Sequence, residues 1–163
     1  MRNVTLKTKD NHRIEAVHHE QGFKKAVILA HGFFNTKDAY LFREIAKVLA
    51  LHYDVVAFDF RGHGKSSGLF TWTSQECADL QAVITYVKNR GYESIGLMGF
   101  SLGAAVSLLE TAQNPDIKTV IAVSGRLFEA TGTPVVFRRI EGLESTRAQA
   151  VAIADGRFLA VGP

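Results

Sequence analysis

Apolar residues along this chain alternate between two kinds of pattern. Residues 26–30 are a short unbroken apolar run, as expected for a strand buried on both faces, and residues 53–58 and 94–99 read as a second and third buried strand. Between them the apolar positions recur at helical spacing. Leu41, Ile45, Val48 and Leu49 follow the capping candidates Asn35 and Thr36, and Leu80, Val83, Ile84 and Val87 follow Thr73-Ser74-Gln75-Glu76, which has capping-box spacing. Gly91 is placed to end that second helix. Residues 102–113 read as a third helix stopped by Asn114-Pro115, and residues 118–123 as a further buried strand. Ahead of all this, residues 4–8 and 13–18 alternate polar and apolar around the turn pair Asp10-Asn11, as in a hairpin. The expected class is α/β: an opening hairpin, then a mostly parallel sheet with helices on both faces.

The rhythm changes after Val123. Gly125, Gly132, Pro134 and Gly142 interrupt the next stretch, so a boundary is expected between Ser124 and Pro134, separating an α/β core at 1–123 from a tail at 124–163. Within the tail, residues 148–153 and 157–161 flank Asp155-Gly156, a strong two-residue hairpin signal, so a hairpin is expected at 148–161. A parallel sheet that ended at its fourth parallel strand would leave an apolar edge open. The hairpin is expected to cover that edge near Val120 to Val123.

Composition narrows the function classes. The 163 residues suffice for one domain with a real core, and 47% hydrophobic with 21% charged residues is ordinary for a globular chain. The net charge of +3 comes from scattered lysines and arginines, which argues against a nucleic-acid partner. Residues 1–17 contain no continuous apolar segment of signal-peptide type, and no run approaches the ~18 residues of a membrane span. Cys77 is the single cysteine, which rules out an intrachain disulfide; it is expected as a small buried side chain. A cytoplasmic location is the expectation.

The chemistry is concentrated at Gly99-x-Ser101-x-Gly103, between a predicted strand and a predicted helix. That is the pattern of a serine nucleophile held on a strained turn, with glycines where side chains would strike neighbouring backbone. The helix beginning at Leu102 would aim its first amides at the reaction centre, where negative charge develops on a carbonyl oxygen. Leu102 N–H is one candidate oxyanion donor. The backbone N–H of Phe33, in the loop His31-Gly32-Phe33 after the first buried strand, is the second.

The stretches "AVILAHGFFNTKD", "VVAFDFRGHGKSSG" and "IGLMGFSLGAAVSLL" occur in the order and spacing of an α/β-hydrolase, and residues 1–123 resemble the N-terminal half of that family. The esterase, monoglyceride-lipase and serine-aminopeptidase branch is the nearest in character. The resemblance implies a central serine strand and hydrolysis of a carboxylic ester or related acyl bond through an acyl-enzyme. It implies a small-molecule acyl substrate, with no cofactor and no metal. His31 would then shape the oxyanion loop rather than act as base. Arg61-Gly62-His63-Gly64 reads as a structural turn after a strand. Adjacent His18 and His19 would face opposite ways on a strand and read as a surface pair, while His12 and His52 fit exposed positions. Phe33, Phe34, Phe70 and Trp72 fit either an acyl pocket or core packing.

The triad order of this family is serine, acid, histidine. All six histidines here precede Ser101. The acids after it (Glu110, Asp116, Glu129, Glu141, Glu144 and Asp155) lack the context of a triad acid, so acid and base stay unassigned. His63 could approach from its loop but has no acid placed to orient it. The expectation is a truncated and catalytically impaired hydrolase, or else a non-catalytic product with a hydrolase-derived fold. The tail "STRAQAVAIADGRFLAVGP" resembles the opening hairpin of metal-dependent amidohydrolases, and equally fits an unrelated hairpin. It contributes no site residue, and the chain reads as joined from two sources.

Overall fold

The computed structural model describes residues 1–123 and, as backbone, the two strands at 150–154 and 157–161. Eight strands and three helices follow one another as β1 (Arg2–Lys7), β2 (Arg13–His19), β3 (Lys25–Ala30), α1 (Tyr40–Leu49), β4 (Asp54–Phe58), α2 (Glu76–Asn89), β5 (Ser94–Phe100), α3 (Leu102–Gln113), β6 (Ile117–Val123), β7 (Ala150–Ala154) and β8 (Arg157–Val161). They form one sheet in the order β1-β2-β4-β3-β5-β6-β7-β8. The strands β4, β3, β5 and β6 are mutually parallel. β2 runs antiparallel to β4, and β1 to β2. β7 pairs antiparallel with β6, with Val120 opposite Ile153 and Val123 opposite Ala150, and β8 pairs antiparallel with β7.

Strand alternation divides the core into two layers. Ala26, Ile28 and Ala30 of β3, Val56 and Phe58 of β4, and Ile95 and Leu97 of β5 pack with Leu80, Val83, Ile84 and Val87 of α2 and with Leu102, Ala104, Val106 and Leu108 of α3. On the other face Leu29, Val55 and Ala57 pack with Phe42 and Ala46 of α1. The serine segment lies on β5, inside the sheet, where both faces are flanked by helices.

Two local expectations are corrected. Helix α1 does not start from Asn35 or Thr36. Its N-cap is Ala39, without a side-chain bond, and its buried residues are Phe42 and Ala46, while Leu41 and Val48 face solvent. The apolar residues of this helix form one wide face, opposite Arg43, Glu44 and Lys47, and only one edge of that face is fully covered. The covered edge carries Phe42, whose ring meets Phe100 edge-on at 5.2 Å. The capping box of α2 is not built from Thr73, whose backbone is left-handed at φ 73°. The N-cap of α2 is Gln75, without a side-chain cap bond, and the turn before it is closed by Thr71: its Oγ1 accepts from Gln75 N–H at 3.1 Å, while the buried Glu76 carboxylate accepts from Thr71 N–H at 2.7 Å. Among the described residues no helix is long and apolar enough to cross a membrane.

Candidate active site

Ser101 stands between the end of β5 and the start of α3 with φ 49° and ψ −108°, a backbone conformation that a non-glycine residue adopts only at a cost of ~1–3 kcal/mol. The surroundings hold it there. Ser101 N–H donates to Val123 O on β6 at 2.9 Å, and its carbonyl accepts from Ala105 N–H at 3.1 Å. There is no room for a side chain on either flanking glycine: a Cβ on Gly99 would lie 2.3 Å from Gly103 O, and one on Gly103 would lie 2.4 Å from Ala30 O. Strand β3, strand β5 and helix α3 thus meet backbone to backbone at this turn. Ser101 itself is exposed, and its Oγ has no hydrogen-bond partner among the described residues.

The loop after β3 comes up beside it. A Cβ on Gly32 would sit 3.3 Å from the Ser101 Cβ. Phe33 is therefore one residue from the serine's side chain, and Leu102 directly follows the serine in α3. Neither Phe33 N–H nor Leu102 N–H has an acceptor among the described residues, so both donors remain for another partner.

Two histidines lie close to this loop, and the structure occupies both rings. His31 Nε2 accepts from Phe60 N–H at 3.1 Å, so its proton is on Nδ1, which donates to Gly32 O at 2.7 Å. Burial pushes the pKa of His31 down to about 4. His63 Nε2 accepts from Phe34 N–H at 3.3 Å and Nδ1–H donates to Arg61 O at 3.0 Å. Both imidazoles therefore tie the β3 loop to the β4 loop.

Buried charges fix those loops further. Asp59 accepts from Lys37 N–H at 2.7 Å, Lys37 Nζ at 3.0 Å and Lys65 N–H at 3.1 Å. Burial disfavours the Lys37 ammonium, but its bonds to Asp38 and Asp59 outweigh this and raise its pKa. Arg61 is fully buried and uses its guanidinium fork on Asp79 at 2.7 Å, on Asp10 at 2.7 Å and on Gln75 at 2.6 Å. Its hydrogen bonds hold the Asp10 carboxyl well below the usual carboxylate range.

Beside the loop after β3 four aromatic rings cluster. Phe33 is 3.9 Å from Phe34, 4.4 Å from Phe70 and 5.3 Å from Trp72 between centroids. Phe34 is 87% exposed and Trp72 73% exposed, so core packing does not account for these two. His18 departs from the surface reading. It is fully buried, with Nδ1 3.0 Å from Tyr86 Oη and Nε2 2.9 Å from Tyr92 Oη. Cys77 is half-buried, and burial raises its thiol pKa. Among the described residues no group of three His, Cys, Asp or Glu side chains is arranged to hold a metal ion.

The family comparison settles what this architecture is: the α/β hydrolase fold family matches residues 25–159, well over half of the chain. The chain belongs to that family. The match continues past Val123, through β7 and into β8. The hydrolase core is similar in structure to the esterase Pf2001 of Pyrococcus furiosus, with a TM-score of 0.72 and 32% identity over 76% of this chain and 51% of that one. In sequence it is similar to ethanol acetyltransferase 1 of Wickerhamomyces ciferrii, 33% identical over 93 residues, which is 56% of this chain and 23% of the yeast protein. It is also similar to the uncharacterized hydrolase YugF of Bacillus subtilis, 27% identical over 134 residues, 80% of this chain and 48% of that protein. The chain thus spans a quarter to a half of the length of the curated relatives it matches.

Within the hydrolase frame, sequence reading missed Asp59, Arg61, Asp79 and Glu76 as the groups that hold the site loops. The run "DFRGHGK" directly after a buried strand was the available signal. Its glycines do form turns, Gly62 at φ 69° and Gly64 at φ 53°, and a Cβ on Gly64 would lie 2.2 Å from Asp59 Oδ2.

Proposed function

We propose that Ser101 is the nucleophile of an acyl-transfer reaction on carboxylic esters. Oγ attacks the ester carbonyl carbon while its proton passes to a base. The carbonyl oxygen becomes an oxyanion facing Leu102 N–H and Phe33 N–H. Collapse expels the alcohol and leaves an acyl-serine, which water then cleaves to the free acid. What supports this reading above all is the strained, exposed Ser101 wedged between side-chain-free glycines at the N-terminus of α3. The likeness to an esterase supports hydrolysis, and the likeness to ethanol acetyltransferases supports the same acyl-serine with an alcohol as a second acceptor.

The base is the open position. Neither His31 nor His63 fills it, because each ring already bonds on both nitrogens, and no histidine follows Ser101 in these 163 residues. Turnover by this chain is therefore expected to be low; in a serine protease stripped of its triad, roughly 10³–10⁴-fold catalysis over water persists. That same observation favours a second reading, a non-catalytic product on a hydrolase frame. A fluorophosphonate probe separates the two. Labelling that disappears in Ser101→Ala supports an activated serine, and absence of labelling in the unaltered chain supports the second reading.

A further inference from the structure

The aromatic rings beside the Gly32 loop are built in an uncommon way. Phe34 and Trp72 both have left-handed backbone, each at φ 54°, where bulky residues are disfavoured. Both are held there by buried polar groups. Phe34 N–H donates to His63 Nε2, and the turn carrying Trp72 is pinned by Glu76 on Thr71 and by Ser74 Oγ–H donating to Thr71 O at 2.7 Å. The product of this strain is exposure. Phe34 and Trp72 flank the more buried Phe33 and Phe70, whose rings are stacked with 29° between planes. A fold that incurs backbone strain at two positions to keep large apolar rings in water requires a reason beyond packing.

We infer that Phe33, Phe34, Phe70 and Trp72 form the seat of the apolar tail of the ester, so that the substrate class is esters with a medium or longer alkyl chain. The inference rests on the reading of Ser101 as the acylated residue, since it is Gly32, against the Ser101 side chain, that joins the rings to the reaction centre. A flat aromatic surface takes alkyl chains by area and without hydrogen bonds, so affinity should follow chain length. A polar or charged tail finds no partner on this surface.

Trp72 is the only tryptophan of the chain, so its emission reports directly on the proposed seat. The experiment titrates the Ser101→Ala chain, which cannot turn over substrate, with methyl butanoate, methyl octanoate and octyl acetate. The expected result is a saturable blue shift, with methyl octanoate binding at least about tenfold more tightly than methyl butanoate. Phe34→Asn, which suits the left-handed backbone but removes the ring, should weaken octanoate binding about fivefold. Whichever of methyl octanoate and octyl acetate binds more tightly assigns the seat to the acyl or the alcohol side, and either assignment supports the inference. It is overturned by an unchanged or unsaturable signal, by equal affinity at all chain lengths, by undiminished binding in Phe34→Asn, or by a shift that follows protein concentration alone. Because no acyl-serine forms in this experiment, its failure is separate from failure of the fluorophosphonate test.

Discussion

The two ends of the parallel strands are made to different rules. At the carboxyl end, where Ser101 stands, lie all five non-glycine residues with left-handed backbone among the described residues: Asn11, Phe34, Trp72, Thr73 and Ser101. Glycines there are crowded; a Cβ on Gly62, Gly64, Gly99 or Gly103 would fall within 2.5 Å of another atom. At the amino end the positive-φ residues are glycines only, Gly22 and Gly91, and a Cβ on either would meet nothing within 4 Å. The polar groups differ in the same sense. The carboxyl end uses buried ions aimed at loop amides, Asp59, Arg61, Asp79 and Glu76. The amino end uses a relay that bridges strands and helix: Arg2 donates to Tyr86, Tyr86 to His18, His18 to Tyr92, and Tyr92 to Asp54 at 2.7 Å. The direction of that relay follows from its ends, because Arg2 can only donate and ionised Asp54 can only accept. One end of the sheet is relaxed, and the other stores strain that buried charge holds in place.

The contrast can be broken most severely at Arg61. Arg61→Met leaves the buried Asp79 carboxylate without its partner, and unfolding in urea should show a loss of about 3–5 kcal/mol. A change at the relaxed end, Gly91→Ala, meets no neighbour and should cost only the left-handed backbone penalty of about 1–2 kcal/mol. Next in size is a comparison along a single strand. Gly99→Ala drives a methyl into Gly103 O and should cost about 3 kcal/mol, whereas Gly96→Ala, with its nearest neighbour 3.7 Å away, should stay within ~1 kcal/mol. Equal losses at the two positions would remove the distinction between the ends.

The buried histidines sharpen the comparison through pH. His31 at the carboxyl end and His18 at the amino end are both depressed by burial, so the unfolded chain binds the proton better. Their stabilising effect is therefore complete above the ordinary value of 6.5 and is lost as pH falls, down to about 4 for His31. Each proton excluded is worth ~1.4 kcal/mol per pH unit in that window. Denaturation midpoints measured from pH 7 to 4 should fall steadily, and His31→Gln should flatten the profile more than His18→Gln. Asp10 does not confuse the window, because the stability from its lowered pKa is lost only below its ordinary value of 3.8. The smallest effect belongs to neither end. Ser107, mid-way along α3, buries an Oγ with no partner among the described residues, so Ser107→Ala should be neutral or stabilising by up to ~1 kcal/mol.

Much of the frame was legible because it depends on local pattern. The unbroken apolar run at 26–30 and the apolar-rich stretch at 94–99 became β3 and β5, while Leu80, Val83, Ile84 and Val87 point to a single side of α2 and are all buried. The turn at Ser101 was legible for the same reason, since glycine, serine and glycine sit within five residues. What stayed hidden depends on partners distant in sequence. Arg61 finds Asp10 from 51 positions away, and His18 finds Tyr92 from 74. No spacing announces such pairs, and an adjacent His-His on a strand gives no sign that one ring is enclosed by two tyrosines. In α1 the apolar face was legible but not which edge of it is covered, since that depends on tertiary packing, here Phe42 against Phe100 and His31.

The amide of Ser101 is bonded to Val123, on the neighbouring strand rather than its own. A chain folding as it leaves the ribosome therefore completes the serine turn in sequence before it possesses the group that locks it. Until β6 docks, the turn is free to relax, and Ser101 is held no differently from any other serine. Protection of the Ser101 amide from solvent exchange would serve as a clock for the docking of β6. Ripening of the site and closure of the parallel sheet would then be a single event.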